Sequence, residues 1–264
     1  MHKNTRKNKR ISRFFIDEPL TPCETISLPK HLVNYIVNVL RLNTGDAIVL
    51  FNGIPYASNK DARSYNLGEF SATLAEVSKR NVSASIHDFV AKDIESPLKV
   101  HLFQGISRSE RMDLTIQKAV ELGVDSITPV FTQRSNSGKW SSKQLEKKTQ
   151  HCQTIAHSAC EQSGRTKLVN INPALQVQQI NEHSTELNLL LAPEADVSLT
   201  DLKHLQPENI NIFIGPEGGL THDEIDWACA HHYQKIKLGP RILRTETAGL
   251  STLSVLQFLW GDLA

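Results

Sequence analysis

The sequence has no hydrophobic run long enough to cross a membrane. Its most apolar stretches, residues 189–193 and 210–214, have only the length of a β-strand, whereas a membrane-spanning helix needs about 20 apolar residues. The basic N-terminus also lacks the apolar core of a secretory signal, because Ser12 and Arg13 interrupt the short run at residues 11–16. We therefore expect a cytoplasmic protein with no membrane partner.

Cysteine is scarce, with four residues in a chain of 264 and no C-x-x-C pair. Cys23, Cys152, Cys160 and Cys229 do not have the spacing of zinc ligands, which predicts reduced, mostly buried thiols. His157 and Cys160 would share one face of a helix, but no second ligand pair lies nearby. We expect no metal site.

The chain also has almost no net charge, since 29 Lys and Arg against 28 Asp and Glu leave +1. That total argues against a nucleic-acid partner, because RNA binding requires cations that replace phosphate counterions. The charges are unevenly distributed, however. Residues 1–13 hold six basic and no acidic side chains, residues 134–167 seven and two, and residues 180–232 one and ten. A basic segment solubilises a protein more often than it binds a ligand, so both interpretations stay open.

Up to about residue 90 the sequence shows short β segments separated by turns. The pattern predicts strands at residues 13–16, 47–51, 69–77 and 83–89, with a short amphipathic helix at 32–40. The strand at 47–51 runs into Asn52-Gly53, the strongest short hairpin signal. The stretch AKDIESP at residues 91–97 has the composition of a linker. This half is predicted to be a small β-rich domain.

After the linker, apolar strands alternate with helical patterns. Strands are predicted at residues 100–105, 126–131, 168–171, 187–191, 210–214 and 235–238. Helices are predicted at residues 110–122, 142–162, 222–232 and 247–260, with a weaker one at 175–180. Such alternation indicates an α/β domain with a mostly parallel sheet that is covered on both faces.

In a parallel sheet, ligands bind beyond the carboxyl ends of the strands, which directs attention to three loops. The loops are LAPE at residues 191–194, IGPEGGL at 214–220 and LGPRILRTETA at 238–248. Thr221 and Glu224 form a capping box after the second loop and fix the start of the next helix. The glycines let backbone amides come close to a ligand.

None of the loops is a known nucleotide-binding fingerprint. The G-x-G-x-x-G of dinucleotide-binding folds is absent after the first strand of the α/β half, and no P-loop is present. GPEGG by itself is as compatible with a tight structural loop as with a ligand site. The third loop places two arginines, a glutamate and two threonines beside Ile242 and Leu243. Polar groups against apolar walls are typical of a ligand pocket.

The pairing of IGPEGGLTHDEI with LGPRILRTETA resembles the SPOUT superfamily of trefoil-knotted methyltransferases. Within it, the chain resembles the RsmE family of small-subunit (16S) ribosomal RNA uridine-N3 methyltransferases. The upstream segments RFFIDEPL, HLVNYIVNVLRLNTGD, RMDLTIQKAVELGV, ACEQSGR and LAPEA match the same family in order. The resemblance spans nearly the whole chain.

The resemblance implies an architecture that periodicity does not reveal, since knotted chains are nearly absent from proteins. It implies an α/β fold with a SPOUT-type trefoil-knotted, parallel-sheet methyltransferase domain at residues 97–264. A small PUA-like β-barrel, an RNA-binding domain, precedes it at residues 13–92, after a basic extension at 1–12. The expected partners are 16S rRNA or the small ribosomal subunit, and a second copy of the chain bound through the knot domain.

The resemblance also implies that S-adenosylmethionine is the cofactor and that the three loops hold it. The implied cofactor-binding residues are Leu191, Pro193, Glu194, Ile214, Gly215, Glu217, Gly218, Gly219, Leu238, Gly239, Arg241, Ile242, Leu243, Thr247 and Ala248.

Methylation of uridine N3 requires the loss of a proton and stabilisation of the negative charge that spreads onto the flanking carbonyl oxygens. Arg244 is the candidate cation for that charge, with Arg241 a less favoured alternative. Glu246 is a candidate to orient Arg244 or to accept the proton, and Glu217 is the other candidate base. Glu246 is equally explained as a carboxylate that favours the first turn of the last helix.

Candidate RNA-contacting side chains come from several matched segments. They are Arg13, Arg41, Arg108, Arg111, Arg134, Gln162 and Arg165. Arginine binds phosphate through two hydrogen bonds, and a glutamine reads a base edge. For each arginine taken singly, a solvated surface charge explains the residue as well as RNA contact does.

The final helix is apolar on more than one face. Leu250, Leu253, Leu256 and Trp260 form one stripe, and Val255, Phe258 and Leu259 extend beyond it. The additional width predicts a subunit interface, because large exposed apolar patches are uncommon on monomers.

Two other functions stay open. One keeps the fold and changes the substrate to tRNA or to another rRNA base. The other is a non-catalytic RNA-binding factor in ribosome assembly, against which the intact GPEGG and RILRTETA loops argue.

Overall fold

The structure is a computed structural model, and it describes residues 11–57, 65–135, 140–180 and 186–264. Contacts between backbone positions divide the chain into two units. The first holds the chain up to Ile94 together with a short later segment, Gly164–Lys167. The second holds Glu95–Ser163 and Leu168–Ala264. Most of the predicted basic extension, residues 1–10, lies outside the described residues.

The first unit is built from short strands, as the sequence predicts. They are β1 (Ser12–Phe15), β2 (Thr25–Ser27), β3 (Ala47–Phe51), β4 (Tyr56–Ala57), β5 (Tyr65–Asn66), β6 (Gly68–Val77) and β7 (Val82–Ala91). Five of them form a sheet in the order β1-β3-β6-β7-β2, in which only the β1–β3 pair is parallel. The strands β4 and β5 pair separately.

One short helix packs on this sheet. The helix α1 (Lys30–Asn34) continues directly into a π-helical segment, Tyr35–Leu40, where the sequence predicts a single helix at residues 32–40. Alternate strand residues point to the same face of a sheet, and here that face meets the helix. Phe14, Leu50 and Ile36 are buried in the resulting core.

The hairpin signal at Asn52-Gly53 marks a turn, but the two-residue hairpin is wrong. Both edges of β3 are already occupied, by β1 and by β6, so the next strand has no free edge of β3 to pair with. The Asn52 side chain instead accepts a hydrogen bond from the Ile54 amide (3.0 Å) and donates one to the Glu18 carbonyl (3.1 Å). Gly53 has a φ of 71°, which suits glycine.

The second unit alternates strands and helices, which confirms the predicted α/β class with a parallel sheet. Its strands are β8 (Lys99–Gly105), β9 (Ser126–Phe131), β10 (Asn170–Ile171), β11 (Leu175–Gln176), β12 (Leu187–Leu191), β13 (Asn209–Ile214) and β14 (Gln234–Ile236). Its helices are α2 (Ser109–Glu121), α3 (Ser142–Ser163), α4 (His222–Ala230) and α5 (Thr245–Trp260). The sheet order is β10-β9-β8-β13-β12-β14, β11 also pairs with β9, and all pairs are parallel.

The weak helix predicted at residues 175–180 is wrong. Leu175–Gln176 forms β11 against the end of β9, and a single 3-10 turn, Val177–Gln179, follows. A window of six residues is too short to offset the cost of helix nucleation. The edge of β9 offers backbone hydrogen bonds at once, so the strand forms instead.

The four cysteines are free thiols, but only two of them are buried. Cys152 and Cys160 lie in the core on α3, whereas Cys23 and Cys229 are exposed, which corrects the expectation of mostly buried thiols. Burial, with a smaller contribution from Asp113, raises the pKa of Cys152 to about 11. Its thiol therefore stays protonated at neutral pH and packs as a small apolar side chain.

Two features are absent from the described ranges. No helix within them is both long enough and apolar enough to cross a bilayer. The same residues contain no group of three or more His, Cys, Asp or Glu side chains arranged to hold a metal ion.

Candidate active site

The three loops singled out in the sequence meet around one cavity in the second unit. They follow β12, β13 and β14, which are neighbours in the parallel sheet, so their carboxyl ends lie at one edge. The cavity has a volume of about 900 Å³. Of the residues named above for cofactor binding or catalysis, the lining includes Leu191, Pro193, Glu194, Ile214, Gly215, Glu217, Gly218, Gly219, Leu238, Gly239, Arg241, Ile242, Leu243, Arg244 and Ala248.

Two of the sequence candidates are not among the lining residues. Thr247 is exposed in the first turn of α5, and Glu246 lies beside it with its side chain 12% exposed. The cavity also has lining residues that the sequence did not single out as cofactor residues. Most are neighbours within the three loops, but Arg111 comes from α2, which precedes all three loops in the chain. The sequence contains no signal that places Arg111 at this cavity.

Gly219 and Gly239 each shape one of the loops. Their φ angles are 69° and 73°, in the left-handed region that side chains disfavour. A Cβ atom built on either residue has no heavy atom within 4 Å, so the backbone there faces open space. The loops thus present exposed backbone at both positions, where a ligand has access to peptide groups.

The GPEGGL loop is fixed at its far end by the predicted capping box. Thr221 and Glu224 cap α4 reciprocally, with the Glu224 amide donating to Thr221 Oγ1 and the Thr221 amide to Glu224 Oε2. The other carboxylate oxygen of Glu224 accepts a hydrogen bond of 2.7 Å from the Gln133 amide. Glu224 is buried, so these bonds satisfy both of its oxygens.

Arg134 holds the same loop from outside. Its Nη1 donates to the carbonyl oxygens of Gly218 (3.0 Å) and Leu220 (3.3 Å). Arg134 is a sequence candidate for RNA contact, and the structure gives its guanidinium group a local role in shaping the loop. The two roles are compatible, because Arg134 is exposed.

The start of α5 is attached to the sheet by one buried hydroxyl group. Thr245 Oγ1 donates to the Gly215 carbonyl (2.6 Å) and accepts from Gln104 Nε2 (2.9 Å). Both Thr245 and Gln104 are buried. These bonds connect the ends of β8 and β13 to the helix that follows the third loop.

Replacing Thr245 with valine is expected to destabilise the second unit by about 1–3 kcal/mol, since it leaves buried polar groups without partners. The cavity walls depend on the same bonds, so ligand affinity falls as well. Urea unfolding measures the first effect and calorimetry the second. Thr247→Val, at an exposed position two residues on, is the matched control. An equal loss in both variants would contradict a specific role for Thr245.

A cluster of one arginine and two glutamates lies beside the cavity. Arg111 Nη1 is 3.5 Å from Glu217 Oε1, and Arg111 Nε is 3.9 Å from Glu246 Oε1. Glu217 Oε1 also accepts a hydrogen bond from the Arg108 amide (3.0 Å). The second carboxylate oxygen of each glutamate is buried and has no hydrogen-bond partner among the described residues. The single positive charge of Arg111 is therefore shared between two carboxylates, and one acceptor oxygen of each glutamate is left without a partner.

The Arg244 side chain, unlike that of Arg111, has no partner within the described part of the chain. Arg244 precedes α5, it is exposed, and it lines the cavity. Among the described residues no ion pair or hydrogen bond engages its guanidinium group, and the same holds for Arg241. Glu246 pairs with Arg111 rather than with Arg244, so the hypothesis that Glu246 orients Arg244 gains no support from an ion pair.

Two of the candidate RNA-binding arginines have contacts inside the first unit. Arg13 pairs with Glu69 at 3.0 Å, and its guanidinium group lies over the Phe51 ring at 4.6 Å from the centroid. Arg13 Nη2 also donates to the Arg165 carbonyl (3.4 Å), and Arg165 itself is buried. These arginines hold the Gly164–Lys167 segment against the β-rich unit, an arrangement that the sequence did not predict.

The other candidates for RNA contact are on the surface. Arg41, Arg108 and Gln162 are exposed, and Arg111 is half-buried at the cavity. Arg41 has a φ of 53° and ends the π-helical segment.

Comparison with known proteins identifies the family. A model of the RNA methyltransferase domain matches residues 94–257, and a model of the RNA methyltransferase PUA domain matches residues 28–56. A ribosomal RNA small subunit methyltransferase E from Buchnera aphidicola is 35% identical over 97% of this chain and 99% of its own length. The chain belongs to the ribosomal RNA small subunit methyltransferase E (RsmE) family. The RsmE protein of Bacillus subtilis is 28% identical over 94% of this chain and 96% of its own length.

Solved structures similar to this RsmE-family chain include two that contain S-adenosylmethionine. A Legionella pneumophila methyltransferase in complex with that cofactor has a TM-score of 0.87 and 34% identity, covering 97% of this chain and 100% of its own. The RsmE protein of Neisseria gonorrhoeae, also bound to S-adenosylmethionine, has a TM-score of 0.82 and 34% identity, covering 96% and 100%.

Proposed function

We propose that this protein is an S-adenosylmethionine-dependent methyltransferase that methylates N3 of a uridine in the 16S rRNA of the small ribosomal subunit. One observation carries the proposal: in a chain of the RsmE family, three loops enclose one cavity, and the Arg244 side chain in its wall has no partner among the described residues. The cavity has room for a cofactor, and the arginine stabilises a substrate that becomes negatively charged.

The residues of the cavity fit S-adenosylmethionine. A volume of about 900 Å³ lies within the range of small-molecule sites, about 300–1,000 Å³. Leu191, Ile242 and Leu243 supply apolar walls for an adenine ring, and the open backbone at Gly239 supplies peptide groups that read its edge. The Glu194 carboxylate is available to the hydroxyl and ammonium groups of the cofactor.

Bound S-adenosylmethionine supplies an electrophilic methyl group on a sulfonium centre. The chain has to align uracil N3 with that methyl group and to stabilise the charge that develops as N3 loses its proton. Arg244 suits the second task, because its guanidinium group is free to donate hydrogen bonds to a uracil carbonyl oxygen. Arg241 is the alternative cation, since it shares the exposure and the lack of a partner.

Glu217 is the better placed of the two candidate bases. It lines the cavity, and its Oε1 is held by Arg111 and by the Arg108 amide. Such anchoring fixes the direction of the second oxygen, which is buried and has no partner among the described residues. We assign that oxygen the role of accepting the N3 proton. Glu246 does not line the cavity and instead pairs with Arg111. We assign Glu246 the role of holding Arg111 in place.

The finer architecture belongs to the same proposal. We propose a basic extension at residues 1–12, a PUA-like β-barrel RNA-binding domain at 13–92 and a SPOUT α/β-knot domain at 97–264. The family models that match residues 28–56 and 94–257 support this division. The five-stranded, mostly antiparallel sheet of the first unit supports a small β domain, and its closure into a barrel rests on the resemblance. The knot rests on the resemblance to the SPOUT superfamily.

The substrate contacts of this proposal are the exposed candidates Arg41, Arg108, Arg134 and Gln162, together with Arg111 at the cavity. The target uridine is expected to leave its base stack, as bases do when enzymes modify them. An rRNA substrate places the protein in the cytoplasm, where bacterial ribosomes are assembled.

A homodimer through the second unit completes the proposal. On α5, Leu253 and Leu256 are buried, whereas Phe258 is 61% exposed and Val255 and Leu259 are half-buried. An exposed phenylalanine on an otherwise apolar helix supports a subunit interface. Sedimentation of wild type against Phe258→Glu tests it: a dimer that becomes a monomer agrees, and two identical profiles would contradict it.

Calorimetry with S-adenosylmethionine separates this enzyme from a non-catalytic assembly factor. The enzyme binds the cofactor with one site per chain, and the binding module does not. A purified, folded protein that shows no heat of binding would exclude the methyltransferase. Mapping the methylated nucleoside in the product RNA decides whether the substrate is tRNA or another base of rRNA.

A further inference from the structure

The first unit has a concave surface of its own, and this surface is strongly basic. It is a groove of about 550 Å³, lined by Lys30, Val33, Asn34, Val37, Asn38, Lys79 and Arg80. Three of the seven lining residues are cations and none is acidic. We call this surface the basic groove. It lies wholly within the first unit and shares no residue with the cavity described above.

One wall of the basic groove is a rigid turn. Lys79 and Arg80 are the two central residues of the hairpin between β6 and β7. The flanking residues close the turn: the Ser78 amide donates to the Asn81 carbonyl (2.8 Å), and the Asn81 amide donates to Ser78 Oγ (3.0 Å). The two exposed cations therefore project from a fixed backbone.

The turn itself gives no reason for Lys79 and Arg80. Two-residue hairpins favour Asn-Gly or Asp-Gly, because the preferred turn needs positive φ angles at both central positions. Neither Lys79 nor Arg80 has a positive φ, so this turn is of a kind that accepts most residue types at its central positions. The turn geometry therefore does not require the two adjacent positive charges.

The other lining residues come from α1 and the π-helical segment. Asn34 and Asn38 are exposed and linked, with Asn38 Nδ2 donating to Asn34 Oδ1 (2.6 Å). That bond leaves the Nδ2 group of Asn34 free to donate to an anion. Val33 and Val37 add apolar lining, and exposed Lys30 adds a third charge. The π-helical geometry is rare and is frequent at functional sites.

We propose that the basic groove binds the phosphodiester backbone of the rRNA substrate. Three cations with amide donors and no carboxylate match phosphate oxygens, which Lys and Arg bind as point charges and as bidentate partners. Contacts of this kind position a nucleic acid without reading its sequence. The inference rests on the proposed function, because it takes the ligand to be the rRNA that the cavity modifies.

The test compares two variants of the full-length protein that remove the same charge. Lys79→Ala/Arg80→Ala removes two cations of the basic groove. Lys203→Ala/Lys235→Ala removes two lysines of the second unit that line neither the basic groove nor the cavity. Binding to 16S rRNA is measured over a series of salt concentrations, together with S-adenosylmethionine affinity and the methylation rate at saturating RNA.

The groove variant is expected to bind RNA at least about 10-fold more weakly, and its log–log salt dependence is expected to become shallower by about 0.7–0.9 for each phosphate that the protein no longer neutralises. Cofactor affinity and the rate at saturating RNA stay at wild-type values. Lys79→Arg/Arg80→Lys retains binding, which separates charge from folding.

Two results would overturn the inference. If the groove variant and the lysine control bind RNA equally well, the groove takes no phosphate. If the groove variant instead loses affinity for an acidic ribosomal protein while its RNA affinity is unchanged, the groove binds protein. A wild-type protein that methylates no RNA is a different failure, since it refutes the proposed function itself.

Discussion

Replacing Arg244 with alanine is expected to lower kcat on small-subunit RNA by about 10²–10³-fold, the usual effect of removing one donor to a developing anion. The affinity for S-adenosylmethionine stays nearly unchanged, because the guanidinium group is directed at the substrate charge in this account. Arg244 has no partner within the described residues, so the substitution removes no hydrogen bond or ion pair from the fold. Single-turnover methylation and calorimetry measure the two quantities separately.

Arg241→Ala is the matched control for Arg244→Ala. Both arginines are exposed, both line the cavity and neither has a protein partner among the described residues. Arg244→Lys keeps the charge but loses the planar fork, and it is expected to recover part of the rate. If Arg241→Ala abolishes turnover while Arg244→Ala is fully active, the two roles are exchanged.

Glu217→Gln is expected to lower kcat by about 10²–10⁴-fold, the range for loss of a general base. Glutamine keeps an acceptor oxygen for the Arg108 amide, so the loop keeps its anchor. The deficit is expected to narrow as the pH rises, because uracil N3 ionises without help in alkaline solution. A purely structural defect does not recover in this way. The rate of single-turnover methylation across pH is the measurement.

Glu246→Gln is the matched control for Glu217→Gln. Each glutamate pairs with Arg111, but only Glu217 lines the cavity. Loss of the ion pair alone is therefore expected to lower kcat by the same modest factor in both variants. Any further loss of kcat in Glu217→Gln is then due to the missing proton acceptor. Equal losses in the two variants, with no recovery at high pH, would remove Glu217 from the role of base.

Much of the fold could be predicted from local sequence patterns. The capping box at Thr221 and Glu224 could be predicted because its two hydrogen bonds join residues only three positions apart. The three loops could be located because parallel strands end at one edge of the sheet, whatever their order. The segment Ala47–Phe51 has the predicted bounds, but its partners, β1 and β6, decided that Asn52-Gly53 makes no hairpin.

Contacts between distant residues limited the prediction of the site. Arg111 and Glu217 lie more than 100 positions apart, and no periodicity connects them. Arg13 and Arg165 are of the residue type that binds RNA phosphates. In the folded chain, however, Arg13 pairs with Glu69 and Arg165 is buried. The sequence gives the type of each charged side chain, but its ion-pair partner is known only from the folded structure. The charge of the cavity could therefore be inferred, and its ion pairs could not.

The near-zero net charge is the sum of basic and acidic regions that lie in different parts of the chain. The basic groove lies in the first unit, and the acidic stretch at residues 180–232 contains two of the three cavity loops. Because electrostatic attraction acts over about 10 Å at moderate salt, local clusters rather than the total govern RNA contact. A net charge of +1 is therefore compatible with an RNA-modifying enzyme.

Identification of the methylated nucleoside decides whether this protein is a 16S rRNA uridine-N3 methyltransferase. Small ribosomal subunits and naked 16S rRNA from cells that lack this protein are incubated with the purified enzyme and S-adenosylmethionine labelled in the methyl group. The RNA is then digested and the labelled nucleoside is identified by mass spectrometry and mapped. We expect 3-methyluridine at one position of 16S rRNA, and labelling that is about 10²–10³-fold slower with Arg244→Ala. Label in a different nucleoside, or only in tRNA, would contradict that expectation.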